Sequence, residues 1–141
     1  EAMGARRAER IEDLLRQSDI VSLHCPLTES NTHMLNAAML ALMPTDSYVI
    51  NTSRGGLIDE AALLAALESG HIAGAGLDTF EQEPPLDVNA LAASERVILT
   101  PHIAGVTKEA GKRVGELAVS GIVDFLAGET LPKARLVNTL A

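Results

Sequence analysis

The 141-residue sequence predicts an α/β fold built on a parallel sheet with helices on both faces. Short apolar segments alternate with stretches of helical periodicity along almost the whole chain. The apolar segments are rich in Val, Ile and Leu, as strands buried between layers of helix are. Aromatic residues make up only 2% of the chain, so the core has to be assembled from Ala, Leu, Ile and Val.

The elements follow in order. Residues 11–17 set Ile11, Leu14 and Leu15 on one helical face, and Ser18-Asp19 closes that helix. Ile20-Val21-Ser22-Leu23 reads as a first strand, stopped by Pro26. Residues 37–43 form a short helix ended by Pro44, and the segment from Ser47 to Asn51 around Tyr48-Val49-Ile50 is a second strand. Asp59 is an N-cap for the Ala/Leu-rich helix that runs to Glu68, and Gly70 follows its end. Residues 73–77 make a third strand, with Gly74 and Gly76 inside it for close packing. Pro84-Pro85 exclude helix up to about residue 88. Residues 96–99, with Val97-Ile98-Leu99 at the centre, make a fourth strand ending at Pro101. Thr107 caps a long helix to about Ala127, which Gly128 ends.

The bulk numbers narrow the function. A net charge of −8, from 11 Lys and Arg against 19 Asp and Glu, opposes binding to a phosphate backbone. The near absence of aromatic residues removes a stacking platform for single strands. No nucleic acid partner is expected. A single cysteine, Cys25, excludes an internal disulfide and suits a reducing, cytoplasmic setting. No stretch approaches the roughly 20 apolar residues of a membrane helix, so no membrane partner is expected either. The first residues carry no signal-peptide pattern, and the sequence opens Glu1-Ala2 without an initiator Met.

In open parallel sheets, ligands bind beyond the carboxyl ends of the strands. Three polar residues stand there: Arg54 after the second strand, Glu83 after the third, His102 after the fourth. Arg54 lies in Asn51-Thr52-Ser53-Arg54-Gly55-Gly56, where the glycines let the backbone approach a ligand closely and the guanidinium suits a carboxylate or phosphate. His102 is suited to proton transfer near neutral pH. Glu83 can hydrogen-bond that imidazole and favour its charged form. Each of the three also has a plainer reading, as a surface arginine, a strand-end histidine and a solvated acidic loop. For Glu81 and Asp87 the solvated loop is the expected reading. Cys25 reads as a pocket wall, His24 as part of a strand end, and His33 and His71 as loop residues. A metal site from Asp78, Glu81, Glu83 and His102 is conceivable but has no compact ligand motif behind it. Gly74-Ala75-Gly76 lacks the following helix that a dinucleotide fingerprint requires.

Four blocks together resemble the D-isomer-specific 2-hydroxyacid dehydrogenase family, which includes phosphoglycerate dehydrogenase and hydroxypyruvate reductases. They are Ser18-Asp19-Ile20-Val21-Ser22-Leu23-His24-Cys25-Pro26-Leu27-Thr28, Val49-Ile50-Asn51-Thr52-Ser53-Arg54-Gly55-Gly56, Ala75-Gly76-Leu77-Asp78-Thr79-Phe80-Glu81-Gln82-Glu83-Pro84 and Thr100-Pro101-His102-Ile103-Ala104-Gly105. They occur in family order across nearly the whole chain. The resemblance implies a Rossmann-like fold, here the C-terminal part of a nucleotide-binding domain. It implies that Arg54 binds a small 2-oxo or 2-hydroxy acid, that His102 is the acid/base, and that Glu83 is its partner. It also implies that Cys25, Pro26, Asn31, Thr52, Ser53, Asp78, Ala104 and Gly105, with Arg54 and His102, line a site for NAD, with NADP left open.

The departures set further expectations. The family's glycine-rich turn and the acidic strand end after it precede the region seen here, and neither is present. Residues 1–128 are therefore expected to be the C-terminal part of an NAD(P)-binding domain, and 129–141 the start of a return segment toward a substrate domain. Such a fragment should bind NAD weakly or not at all, and not turn over alone. A homodimer is expected, because a half-sheet with an exposed edge strand should pair. The alternative to an oxidoreductase is a cofactor-sensing, corepressor-like scaffold on the same fold.

Overall fold

The structure is a computed structural model and describes residues 4–85 and 89–132. It divides into two compact units, Glu1–Ile103 and Ala104–Ala141. Most of the expected return segment, and Asp87, lie outside the described residues.

The first unit runs α1 (Ile11–Leu15), β1 (Ile20–Leu23), α2 (Ala37–Leu40), β2 (Ser47–Asn51), α3 (Glu60–Glu68), β3 (Ile72–Leu77), α4 (Asn89–Ala93) and β4 (Val97–Leu99), with 3-10 turns at Glu29–Asn31 and Gly55–Leu57. The four strands form one parallel sheet in the order β1-β2-β3-β4. Its last row is Leu23 opposite Asn51, Asn51 opposite Leu77, and Leu77 opposite Leu99. The ladder continues one step further, with Asp78 N donating to Asn51 O at 2.9 Å and Thr100 N to Leu77 O at 3.0 Å. The strands therefore end level, and the segments beginning at His24, Thr52, Asp78 and Thr100 leave the sheet along one edge.

Apolar side chains from one sheet face meet those of the helices. Val21, Leu23, Val49, Ala75 and Leu77 share a core with Leu15, Leu40, Leu63, Leu67 and Leu91. Burying one such leucine stabilises the fold by about 2–3 kcal/mol. On the other face, within this unit, Ile20, Tyr48 and Ile98 are 64%, 48% and 73% exposed. By strand alternation the same face also carries Ser22, Ile50, Gly74 and Gly76. At Gly74 a Cβ would meet Arg96 O at 2.9 Å and the Tyr48 ring at 3.2 Å, so this glycine does permit close packing.

Two helices end earlier than their periodicity predicts, because other groups take their last carbonyls. Gln17 Nε2 donates to Asp13 O and Ser18 Oγ to Leu14 O, both at 2.7 Å, and α1 stops at Leu15. After α2, Leu42 N and Met43 N turn back three residues to Met39 O and Leu40 O, a tighter turn ahead of Pro44. The strand ends shift by one residue: β3 begins at the buried Ile72, and β4 at Val97. The α3 ends are as expected, with Asp59 Oδ1 accepting from Ala62 N at 2.9 Å and Gly70 at φ +75°. Helix α4, which the sequence did not indicate, follows the two prolines.

The second unit contains α5 (Lys108–Leu126). Thr107 caps it, accepting from Ala110 N at 3.0 Å, and Gly128 ends it at φ +78°. None of its residues is buried. No helix among the described residues is long and apolar enough to cross a membrane.

Candidate active site

Asn51 closes the turn after β2. Its buried side chain donates from Nδ2 to Arg54 O at 2.9 Å and accepts at Oδ1 from Ser53 N at 3.0 Å. This is the local bonding that lets Asn replace a backbone partner in a turn. Ser53 Oγ then donates to Cys25 O at 2.5 Å, and Asn31 Nδ2 to Pro26 O at 2.8 Å. Cys25, Pro26, Asn31 and Ser53 are thus gathered at the ends of β1 and β2, with Thr52 exposed beside them. Arg54 is exposed, and its Nη1 donates to Ser53 O at 2.7 Å.

Gly55 does something other than the expected close approach to a ligand. A Cβ there would lie 1.8 Å from the Phe80 carbonyl carbon and 2.4 Å from Glu81 N. The space is filled by the loop after β3, so the turn carrying Arg54 and the loop carrying Glu83 touch backbone to backbone. At Gly56 a Cβ would press on the Leu27 side chain at 3.0 Å.

Glu83 is held at both oxygens. Phe80 N donates to Oε1 at 3.0 Å, and His102 Nδ1 stands 2.7 Å from Oε2. Those bonds hold the Glu83 carboxyl below the usual range, that to His102 most and that to Phe80 N next, with smaller contributions from the positive charges of His102 and Arg54. With Nδ1 on Glu83, Nε2 is the ring nitrogen that remains to exchange a proton. His102 sits at φ +54°, a conformation that costs a non-glycine residue about 1–3 kcal/mol. The flanking backbone holds it there. Buried Asp78 accepts at Oδ1 from Thr100 Oγ1 at 2.5 Å and from Ile103 N at 2.9 Å, while His102 N donates to Thr100 O at 3.1 Å.

Glu83 and His102 line a cavity of about 450 Å³ with Phe80, Pro84, Pro85, Leu99, Thr100 and Pro101. Its size is that of a small-molecule site. Arg54 is not among its walls. Cys25 lines a separate cavity of about 430 Å³ with residues that include His24, Met34 and Leu35. Ala104 and Gly105 belong to the second unit and are exposed.

The remaining histidines have their own partners: His24 Nε2 lies 2.8 Å from Ser22 Oγ, and His71 Nε2 lies 3.1 Å from Leu40 O. Glu81 is more than the solvated residue expected. Its Oε1 accepts from Glu60 N at 2.8 Å and lies 3.3 Å from His33 Nε2. Glu60 Oε1 in turn accepts from Glu81 N at 2.7 Å. Among the described residues no group of three or more His, Cys, Asp or Glu could hold a metal ion. The sequence reading passed over Asn51, Phe80, Thr100 and Glu60 as site-builders. Only Asn51 carried a local signal, as an Asx-turn residue ahead of Ser-Arg-Gly-Gly.

Residues 1–104 match the family model described as D-isomer specific 2-hydroxyacid dehydrogenase, NAD binding domain. The chain is 47% identical over 116 residues to an (S)-sulfolactate dehydrogenase of Chromohalobacter salexigens, covering 82% of this chain and 38% of that protein. It is 46% identical over 128 residues to a glyoxylate reductase of Thermofilum pendens, covering 91% and 37%. The chain therefore spans less than two fifths of the length of these curated relatives. A crystal structure of a D-isomer specific 2-hydroxyacid dehydrogenase, NAD-binding, from Polaromonas superposes with a TM-score of 0.87 at 34% identity, covering 91% of this chain and 40% of that one.

Proposed function

The chain belongs to the D-isomer specific 2-hydroxyacid dehydrogenase family through that family's NAD-binding domain, and on that premise we propose that the protein carrying it interconverts a D-2-hydroxy acid and its 2-oxo acid. The observation that supports this reading most is the 2.7 Å contact between His102 Nδ1 and Glu83 Oε2 at the wall of a small-molecule cavity. In reduction, His102 Nε2 gives its proton to the carbonyl oxygen as a hydride reaches C2, so the products are the 2-hydroxy acid and oxidised nicotinamide. In oxidation His102 takes the hydroxyl proton. Glu83 fixes the ring's orientation and stabilises the positive charge it carries before giving up the proton. Arg54, exposed and forked, pairs with the substrate carboxylate.

The strand ends fit a nicotinamide cofactor in their chemistry. Backbone carbonyls, an amide and hydroxyls from Cys25, Pro26, Asn31, Thr52 and Ser53 are the groups proposed to line its site, since open parallel sheets take dinucleotides beyond the carboxyl ends of their strands. NAD supplies or accepts the hydride when bound. Asp78 would meet its carboxamide end. The protein carrying this chain is proposed to act as a homodimer and to work in the cytoplasm.

The test is NADH oxidation by the full-length protein with glyoxylate, hydroxypyruvate and further 2-oxo acids. Turnover with at least one, abolished by His102→Gln, is expected. No oxidation with any of them would overturn the reading in favour of a cofactor-sensing scaffold.

A further inference from the structure

The loop after β3 carries Glu83, and two contacts seat it. One is the backbone of Phe80 and Glu81 lying in the space left by Gly55, directly after Arg54. The other is the reciprocal pair at the start of α3, where Glu81 Oε1 accepts from Glu60 N at 2.8 Å and Glu60 Oε1 accepts from Glu81 N at 2.7 Å. Each carboxylate closes on the other residue's backbone N–H. Glu60 N is one of the first N–H groups of α3, which lack partners within the helix. His33 Nε2, 3.3 Å from the same Glu81 oxygen, adds a third segment to the join.

We infer that Glu60 and Glu81 are positioning residues that clasp the Glu83 loop to the turn after Arg54, fixing the acid/base pair relative to the substrate anchor. The inference rests on the proposed dehydrogenase reading. The chain of contacts is continuous. Glu81 holds the loop at α3, Phe80 N in the same loop holds Glu83 Oε1, and Glu83 Oε2 holds His102 Nδ1. No member of the clasp needs to touch substrate. Misplacing a reacting group by about 1 Å can cost on the order of 100-fold in rate, so a loosened clasp acts on kcat, while Arg54 continues to bind the acid.

Burial raises the Glu60 carboxyl above its usual value, and the neighbouring Glu81 charge adds to that, against the opposing hydrogen bond from Glu81 N. The two acidic groups are therefore held together against their own repulsion by the backbone bonds they accept.

The experiment compares Glu81→Ala, Glu81→Asp and Glu81→Gln in the full-length protein. Gln keeps an oxygen that can accept from Glu60 N, Ala has none, and Asp is one methylene too short. Glu81→Ala and Glu81→Asp should lower kcat about tenfold with KM for the 2-oxo acid within about twofold, and Glu81→Gln should restore most of the rate. Unchanged kcat in Glu81→Ala, or loss in Glu81→Gln equal to that in Glu81→Ala, would overturn the clasp.

A second readout needs no turnover. The His102 Nδ1 proton on Glu83 should give a downfield NMR signal that shifts or broadens in Glu81→Ala and is retained in Glu81→Gln. If wild type oxidises NADH with no 2-oxo acid, the dehydrogenase reading fails while this signal still decides the clasp. A signal unmoved in Glu81→Ala would sink it. Should Glu81→Ala not fold, Glu60→Ala, which removes the other half of the pair, is read in the same way.

Discussion

The turn after β2 and the loop after β4 present their functional side chains by opposite means. After β2, Asn51 bonds the backbone of Ser53 and Arg54, and the arginine side chain is left exposed. After β4, the histidine itself is pinned, by Glu83 on its ring and by Asp78, which accepts from the Thr100 hydroxyl before it and the Ile103 backbone N–H after it. The difference reflects the work proposed for each. A guanidinium that captures a carboxylate needs reach and can settle onto its partner. An imidazole that passes a proton needs its nitrogen aimed before the substrate arrives.

The comparison breaks most visibly at His102. His102→Gln should lower kcat in the steady-state NADH oxidation assay by about 100- to 10,000-fold, the usual contribution of a positioned acid or base. Arg54→Lys should act differently, raising KM for the 2-oxo acid by roughly tenfold or more as the forked pairing is lost, with a smaller fall in kcat in the same steady-state assay. A large fall in kcat with unchanged KM would mean that Arg54 is as rigidly aimed as His102. Asp78→Ala leaves the Ile103 N–H and the Thr100 hydroxyl without their acceptor. It should cost about 1–3 kcal/mol in urea unfolding, a loss that Arg54→Lys does not share.

The smallest effect is the pH dependence of stability. The Glu83 carboxyl is held below its usual value, so its contribution is present above the ordinary glutamate range and is lost as pH falls through the lowered value. Glu60 is raised by burial, so its contribution has the opposite sign and is lost as pH rises through the raised value. Urea midpoints of wild type and Glu83→Gln should therefore converge on acidification. A gap that stays constant with pH would show that the ionised Glu83 adds nothing to the folded state.

Local chemistry explains why the strands and the ends of the longer helices could be read in advance. Asp59, Gly70, Thr107 and Gly128 act on residues within one turn of themselves, and β1 and β2 are short, mostly apolar segments rich in β-branched residues. Arg54, Glu83 and His102 were legible because each comes after such a segment, and parallel strands with level carboxyl ends deliver their outgoing loops to one edge. The blocks around them also identified the family.

The sequence by itself determined which residues form strands, which edge of the sheet carries polar groups, and which family the chain belongs to. The tertiary structure decided the rest. It put Glu83 on His102, closed Glu60 and Glu81 on each other and filled the space at Gly55 with Phe80. Glu60 and Glu81 stand 21 residues apart and Glu83 and His102 stand 19 apart. Contacts at such separations arise from sheet register and loop packing, which no local pattern of side chains encodes.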